Sequence, residues 1–329
     1  MAPTWIERIR SARDTVTCYK NPIHPLKTKA MAVNAHSEID VCICTFQRPS
    51  LAQTLGSIAQ QRLGPNVSLR VIIADNDDTP SAKALADETC QALGLNHLYV
   101  HAPARNISIA RNACLDASTA PLIAFIDDDE EASPNWLSHL LSALETEQLD
   151  AVFGPVRAIY LPDAAPWVSK ADLHSTQPAF RSSGEIDTGY TCNVIFRREA
   201  VKSARFDPDL GRSGGEDTVF FATLAHQGAR LGFSATAEVS ELVPPHRAEL
   251  MWLLRRSFRS GQSHGRTLVA RSRRRLPQAV IAASKAAYCL LSVCLRSGSA
   301  VEWRKAAVRG ALHAGVVTRL LGSRDLKLY

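Results

Sequence analysis

Residues 121–131 are Pro-Leu-Ile-Ala-Phe-Ile-Asp-Asp-Asp-Glu-Glu, and this stretch decides the fold. Its apolar part, residues 122–126, predicts a short strand buried on both faces of a sheet. Three carboxylates follow directly, Asp127, Asp128 and Asp129. Charges rarely lie beside a core strand unless a cation, a basic side chain or water compensates them. Because ligands of open α/β sheets bind at the carboxyl ends of the strands, we expect this cluster to hold Mg²⁺ or Mn²⁺ in a binding crevice.

Predicted strands and helices alternate along the chain before this stretch. The strands cover residues 39–46, 69–74 and 98–101, and the helices cover residues 49–61, 81–93 and 107–117. This alternation predicts an α/β fold with a mainly parallel sheet and right-handed crossovers. Asp75 and Asp77 follow the second strand, so we expect them at the same sheet edge as the acidic cluster. No dinucleotide-binding glycine motif and no P-loop occurs.

The second half of the chain carries fewer regular patterns. We predict one further strand within residues 150–160 and a helix over residues 218–227. Between them, residues 161–185 are rich in loop-forming residues, and we expect them to shape an acceptor cleft because loops of this length are often functional.

Charge is distributed unevenly along the 329 residues, although the net charge is only +6. Residues 247–329 contain 17 Lys or Arg and three Asp or Glu, which leaves the rest of the chain net acidic. Such a basic tail of helical period indicates an anionic partner surface, lipid or nucleic acid. Residues 279–295 are apolar but slightly short for a membrane-spanning helix, and Lys285 lies at their middle. We therefore expect an interfacial helix on an anionic membrane and no nucleic acid, the alternative being a helix packed on the domain.

Cysteine usage and the first residues indicate the compartment. Eight cysteines without a Cys-x-x-Cys pair do not indicate a disulfide scaffold or a zinc ribbon. The first residues lack the apolar core of a signal peptide. We expect a cytoplasmic protein with reduced thiols, peripheral on the inner face of the cell membrane. Its parts are an extension (1–37, with a possible helix at 5–13), an α/β domain (38–246) and a basic helical region (247–329).

The acidic cluster by itself is compatible with several chemistries. A calcium-binding EF-hand loop starting at Asp127 fails, because Ala132 replaces the turn glycine and Ser138 replaces the bidentate glutamate. A metal-dependent phosphatase or nucleotidyltransferase acting on a nucleotide remains an alternative, and it would release phosphate or pyrophosphate without an acceptor. A solvated acidic loop without function is the third interpretation.

Four motifs, in this order and spacing, resemble glycosyltransferase family 2. They are Cys-Ile-Cys-Thr-Phe-Gln-Arg-Pro (42–49), Phe-Ile-Asp-Asp-Asp-Glu (125–130), Thr-Cys-Asn-Val-Ile-Phe-Arg-Arg (191–198) and Gly-Gly-Glu-Asp (214–217). The resemblance covers about residues 39–265 and is closest to bacterial exopolysaccharide glucosyltransferases of the succinoglycan type. It implies the GT-A nucleotide-diphospho-sugar transferase fold, Rossmann-like, with a helical basic C-terminal tail. It also implies polysaccharide biosynthesis from a UDP-sugar, expected to be UDP-glucose, and an acceptor that is a lipid-linked saccharide or an oligosaccharide.

The same resemblance implies roles for individual residues. Asp127 and Asp129 would bind a divalent metal that bridges the donor phosphates, with His246 as a further ligand. Asp217 would be the general base, with Glu216 beside it in the Glu-Asp motif. The donor-binding residues would be Thr45, Arg48, Asp75, Asp77, Arg111, Asp128, Arg255 and Arg259.

These residue types suit transfer of a sugar from a nucleoside diphosphate. A metal neutralises the charge that grows on the leaving diphosphate, and a carboxylate can take the proton of the attacking hydroxyl. One base and direct attack predict inversion at the anomeric carbon, because no carboxylate nucleophile is needed. Alternatives remain for Asp217, as a helix N-cap, and for His246, as a surface residue. Asn193 is expected either to contact acceptor or sugar hydroxyls or to be a buried structural amide. Residues 259–264 lack the Gln-x-x-Arg-Trp of processive synthases, so we expect one sugar per encounter.

Overall fold

The computed structural model describes residues 37–271 and 275–323, so nearly all of the N-terminal extension, with its possible helix, lies outside the described residues. Within these ranges the strands are β1 (Ser37–Thr45), β2 (Val67–Asp75), β3 (His97–His101), β4 (Leu122–Ile126), β5 (Glu130–Ala132), β6 (Ala151–Phe153), β7 (Val156–Tyr160), β8 (Asn193–Arg197), β9 (Leu231–Phe233) and β10 (Val239–Val243). The helices are α1 (Leu51–Ala59), α2 (Lys83–Leu93), α3 (Ile107–Ala117), α4 (Trp136–Thr146), α5 (Pro166–Ala171), α6 (Arg198–Val201), α7 (Glu216–His226), α8 (Leu250–Arg271), α9 (Arg275–Leu295) and α10 (Glu302–Leu320).

Seven strands form the central sheet, in the order β3-β2-β1-β4-β8-β6-β9. Neighbouring strands pair in parallel except where β8 runs antiparallel to β4 and β6. This arrangement confirms the prediction of a mainly parallel sheet built from βα units. Thr45 and Asp75 are partners in the register of β1 and β2, at the edge where β4 also ends. The carboxyl ends of the first parallel strands therefore meet at one crevice.

The prediction of a single strand over residues 150–160 is wrong, because the chain changes sheets in the middle. β6 belongs to the central sheet, whereas β7 belongs to a second, three-stranded sheet with the order β5-β10-β7. The break falls at Gly154-Pro155, and proline has no N–H to continue a ladder. At Gly154 a side chain would overlap the carbonyl oxygen of Ala237, so only glycine allows this close approach. The second sheet places β10 beside β5, next to the acidic cluster.

The core lies on both faces of the central sheet, and β1 shows why. Alternate residues point to opposite faces of a strand, so Ile39, Val41 and Ile43 pack in one cluster and Cys42 and Cys44 in the other. Cys42 and Cys44 are therefore small core residues on a shared face. Burial on both faces explains why β1 is apolar along most of its length.

Three long helices follow the α/β domain, as the basic tail predicts. Residue Ser257 of α8 donates a hydrogen bond to the carbonyl of Val308 in α10 (2.8 Å), while Ala279 and Ala282 of α9 pack against α10. The helix α9 has 21 residues, about 31 Å at 1.5 Å per residue, so it extends beyond the predicted apolar run. Its length therefore no longer argues against spanning, and it is the one helix among the described residues that is long and apolar enough to cross a membrane.

Candidate active site

The turn after β4 places two of the three aspartates against one arginine. The backbone N–H of Asp127 donates to Glu130 Oε2 (3.0 Å), which fixes the turn from inside. Arg48, in the loop after β1, lies with Nε 3.5 Å from Asp128 Oδ1 and also donates a hydrogen bond to Asp129. The structure therefore brings Arg48 to the acidic cluster.

A second arginine connects this cluster to α7. Asn106 caps α3 by accepting hydrogen bonds from the N–H groups of Ser108 and Ile109, and this helix carries Arg111 toward the crevice. The buried guanidinium of Arg111 donates a hydrogen bond to Glu216, and its Nη2 lies 3.9 Å from Asp127 Oδ1. One side chain thus spans the distance between the end of β4 and the start of α7.

The start of α7 holds the acidic pair of the Gly-Glu-Asp motif. Gly215 is the N-cap with a φ of 96°, a left-handed conformation that glycine adopts without strain. The alternative that Asp217 is the N-cap is therefore wrong: Asp217 lies inside the first turn, where the helix dipole favours a carboxylate. Its Oδ1 accepts a hydrogen bond from the N–H of Thr218 (2.6 Å). Burial, and next the charge of Glu216, raise the pKa of Asp217 to about 6, close to neutral pH.

The two aspartates after β2 have different surroundings. Asp75 is fully buried and accepts hydrogen bonds from the N–H groups of Asp77 (3.0 Å) and Ala82 (2.8 Å) and from the Tyr99 hydroxyl (2.7 Å). These bonds shape the loop that follows β2. Asp77 accepts a hydrogen bond from the side-chain amide of Gln47 (3.0 Å), which joins the loops after β1 and β2. The structure brings both residues to the crevice, and their contact with a donor stays a prediction.

The electrostatics of the acidic cluster suit a divalent cation. Burial raises the pKa of Asp127, that of Asp128 to about 7 and that of Glu241 on β10 to about 6, although nearby guanidinium groups oppose these shifts. Mg²⁺ and Mn²⁺ are commonly held by one or two carboxylates together with substrate phosphates. The carboxylates of Asp127 and Asp129 fit such an ion. Within residues 37–271 and 275–323, no group of three or more His, Cys, Asp or Glu side chains is arranged to hold a metal by itself.

His246 does not join the two carboxylates in this structure. It is exposed on the 3₁₀ turn Pro245–Arg247, whereas the next residue, Arg247, has its Nη1 3.5 Å from Asp129 Oδ2. Successive residues of a 3₁₀ turn point about 120° apart, so the side chains of His246 and Arg247 leave this turn in different directions. The exposure of His246 agrees with the alternative of a surface histidine, and its role as a metal ligand beside Asp127 and Asp129 stays a prediction.

Sequence reasoning missed Glu241 and Arg247. Glu241 pairs with Glu130 in the register of β10 and β5, and its Oε1 accepts a hydrogen bond from Arg247 (2.8 Å). Only the second sheet places these residues at the crevice, since more than 100 positions separate them from β4 in the chain. The sequence Pro-Pro-His-Arg (244–247) contains a second candidate for this site, because Arg247 directly follows the predicted ligand His246.

The other predicted residues take separate positions. The guanidinium carbon of Arg259 lies 3.7 Å from where a side chain would begin at Gly214, close to the turn before α7, whereas Arg255 is exposed on α8. Asn193 accepts a hydrogen bond from the indole of Trp136 (2.7 Å) and donates to the carbonyls of Pro155 and Ala237. Because Asn193 is fully buried and bonded at both ends, it is a structural amide.

Residues 40–204, half of the chain, match the family model described as Glycosyl transferase family 2. The chain belongs to glycosyltransferase family 2. It is 45% identical over 300 residues to the succinoglycan biosynthesis protein ExoM of Rhizobium meliloti. This alignment covers 90% of the chain and 97% of ExoM. The predicted family and enzyme class are confirmed, and the nucleotide-directed phosphatase alternative is not supported.

Solved structures confirm the predicted GT-A fold of this transferase. The mannosyltransferase PcManGT from Pyrobaculum calidifontis, in complex with GDP-Man and Mn²⁺, matches with a TM-score of 0.60 at 17% identity over 87% of this chain and 88% of its own. Residues 1–349 of S. aureus TarS in complex with UDP match with a TM-score of 0.50 at 14% identity over 87% and 92% of the two chains. At these identities the likeness concerns the fold.

Proposed function

We propose that this family 2 transferase is an inverting, metal-dependent enzyme that moves glucose from UDP-glucose to a lipid-linked saccharide in polysaccharide biosynthesis. The observation that carries the proposal is the bridge made by Arg111 between Asp127 and Glu216. It brings the carboxylates suited to a metal and the candidate base, Asp217, into one crevice. The similarity to a succinoglycan biosynthesis protein supports the polysaccharide product.

The roles follow from the surroundings of each group. A Mg²⁺ or Mn²⁺ ion held by Asp127 and Asp129 would supply Lewis-acid stabilisation of the leaving diphosphate. Asp217 acts as the base through Oδ2, since Oδ1 already accepts the N–H of Thr218. Arg111 holds Glu216, the neighbour of Asp217, and so fixes the start of α7. Direct attack by the activated acceptor hydroxyl inverts the anomeric carbon.

The acceptor is proposed to reach the crevice from the membrane surface. Several apolar side chains of α9 are exposed, among them Leu276 (72%), Leu291 (56%) and Leu295 (77%). Exposed basic residues, Arg275, Lys285 and Arg296, accompany them. An apolar helix face beside cationic side chains suits the interface of an anionic membrane. Binding there would place the enzyme at the inner, cytoplasmic face, where a lipid-linked acceptor would be presented.

A donor-hydrolysis experiment tests the proposed reaction without knowing the acceptor, because water can replace the hydroxyl. With Mn²⁺ and UDP-α-glucose, we expect UDP and the β-anomer of glucose, followed by proton NMR before mutarotation. Asp217→Asn should lose at least about 100-fold of this rate, the usual scale of a general base. Asp209→Asn, on the exposed loop before α7, is the matched control. Release of α-glucose, or of phosphate without UDP, would contradict the proposal.

The membrane part has its own test. Sedimentation with vesicles of phosphatidylcholine and phosphatidylglycerol should bring down the wild-type protein but not the double variant Leu291→Asp, Leu295→Asp. The control is Leu93→Asp, which changes an exposed leucine of α2 in the α/β domain. Equal sedimentation of the double variant and the wild type would refute the role of α9.

A further inference from the structure

Arg247 has hydrogen-bonding capacity that the proposed mechanism does not use. Its Nη1 is 2.8 Å from Glu241 Oε1 and 3.5 Å from Asp129 Oδ2, so both contacts use the same nitrogen. Among residues 37–271 and 275–323, no protein atom accepts a hydrogen bond from the Nε or Nη2 groups of this guanidinium, which also lies over the Trp252 ring with its Cζ 5.8 Å from the ring centroid. The side chain is 18% exposed at the crevice. Two N–H donors in one plane are therefore available to a ligand beside Asp129.

The backbone of Arg247 is fixed by a buried histidine from the loop after α5. His174 is 3% exposed, and its Nε2 lies 3.0 Å from the carbonyl oxygen of Arg247. Because a carbonyl only accepts, Nε2 carries the hydrogen, and Nδ1 lies 3.1 Å from the Tyr160 hydroxyl. The imidazole also stacks on Trp252 of α8 at 5.7 Å. These contacts tie the segment 161–185 to the turn that carries Arg247.

The contacts of the guanidinium leave one of its edges for an anionic ligand. Arg48 also donates a hydrogen bond to Asp129, so this carboxylate has a second cationic partner besides Arg247. Glu241 holds the guanidinium at one edge, which leaves the Nε and Nη2 edge for an incoming group. A guanidinium fork matches two oxygens of a phosphate in a bidentate pair.

We propose that Arg247 binds the diphosphate of the donor through Nε and Nη2, and that His174 is the positioning residue that holds Arg247 in place. The proposal rests on the proposed function for the location of the donor. It adds the turn before α8 to the donor-binding residues, among which the sequence resemblance implies Arg255 and Arg259 but not Arg247. It also makes donor binding depend on the segment that we expect to shape the acceptor cleft.

Calorimetric titrations with UDP, uridine and inorganic pyrophosphate test the role of Arg247 without requiring glycosyl transfer. In the presence of Mn²⁺, Arg247→Ala should weaken UDP binding by about 10-fold or more, as expected for lost charge-assisted hydrogen bonds, and leave uridine affinity unchanged. Arg157→Ala, which removes a surface ion pair with Glu238, is the control and should bind UDP as the wild type does. Unchanged UDP binding in Arg247→Ala, or an equal loss for uridine, would overturn the proposal.

UDP binding by the wild-type protein tests the proposed donor separately from Arg247. If the wild type does not bind UDP, the UDP-sugar assignment is wrong, and pyrophosphate then tests Arg247 alone. Weaker pyrophosphate binding by Arg247→Ala supports the phosphate contact, whereas equal or absent binding by both proteins overturns it.

A double-mutant cycle tests His174. His174→Phe keeps an aromatic ring but removes the hydrogen bond, and it should weaken UDP binding several-fold, whereas His174→Gln can still donate to the carbonyl and should restore most of the affinity. In the Arg247→Ala background, His174→Phe should cause no further loss, because the side chain that it positions is absent. Urea unfolding identifies any variant that fails to fold. Equal losses in both backgrounds would show a general structural role and overturn the positioning role.

Discussion

Replacing Arg111 should destabilise the protein more than any loss of a surface ion pair. The Arg111 and Glu216 side chains are only 8% and 7% exposed, and the guanidinium also lies 3.9 Å from Asp127. Arg111→Met removes the cation and leaves the Glu216 carboxylate without its partner in a poorly solvated site, whereas Asp127 is 44% exposed. Breaking a buried pair by removing one partner costs about 3–5 kcal/mol, a large fraction of the ~5–15 kcal/mol that stabilises a typical protein.

The matched control is Arg205→Met. Arg205 forms an ion pair of 3.2 Å with Asp116, but the two side chains are 49% and 64% exposed. Solvent screens such a pair, so we expect a loss of less than about 1 kcal/mol. Both free energies of unfolding are measured by urea denaturation at pH 7.5, where the change in midpoint at constant slope gives the difference.

A second substitution separates charge from packing. Arg111 also lies over the Phe206 ring at 5.7 Å, so part of the loss could come from that contact. Adding Glu216→Gln to Arg111→Met removes one uncompensated carboxylate and should recover at least about 1 kcal/mol. If Arg111→Met costs no more than Arg205→Met, or if the second change recovers nothing, the bridge between β4 and α7 is not held by these charges.

Three further predictions concern the base, the sheet break and the buried amide. Burial and the charge of Glu216 raise the pKa of Asp217 to about 6, and a base acts only when it is deprotonated. We therefore expect kcat/KM for donor hydrolysis at saturating Mn²⁺ to rise with pH through about 6 and then to level off. A rate that does not depend on pH from 5 to 8 would contradict this role. Gly154→Ala should lower the free energy of unfolding by about 1–3 kcal/mol, because the added methyl group would clash with the carbonyl oxygen of Ala237. The control Gly64→Ala, where the added group meets open space, should change it by no more than about 0.5 kcal/mol. Equal values for the two variants would refute the close approach at Gly154. Asn193→Ala should lower the free energy of unfolding by about 1–3 kcal/mol, because the indole N–H of Trp136 and two carbonyls lose their partner. A loss of activity at unchanged stability would instead indicate that Asn193 contacts the substrate.

Local patterns were sufficient to predict the parallel part of the fold. The apolar run of β4, the alternation of strands and helices and the Asn-initiated helix α3 are all encoded within short windows, and α3 was predicted with its observed bounds. The family motifs lie in the same windows. These patterns consequently predict that the carboxyl ends of β1, β2 and β4 lie at one edge of the sheet, as they do in the structure.

Contacts across long separations could not be predicted from those windows. The Gly154-Pro155 break divides an apolar run between two sheets, and nothing within the run says where the second half pairs. The same second sheet turns Arg247 rather than His246 toward Asp129. The position of Asp217 inside α7 likewise depended on the left-handed Gly215, a conformation that sequence suggests but does not fix.

The measurement that tests the central claim most directly is a titration of UDP with and without Mn²⁺, on the wild-type protein and on Asp129→Asn. The account predicts tight binding that needs both the metal and Asp129, because the donor diphosphate and the ion would share the carboxylates after β4. Substitution by asparagine keeps the shape of the side chain while removing its charge. UDP binding that is independent of Mn²⁺, or unchanged in Asp129→Asn, would contradict the placement of the donor at this crevice.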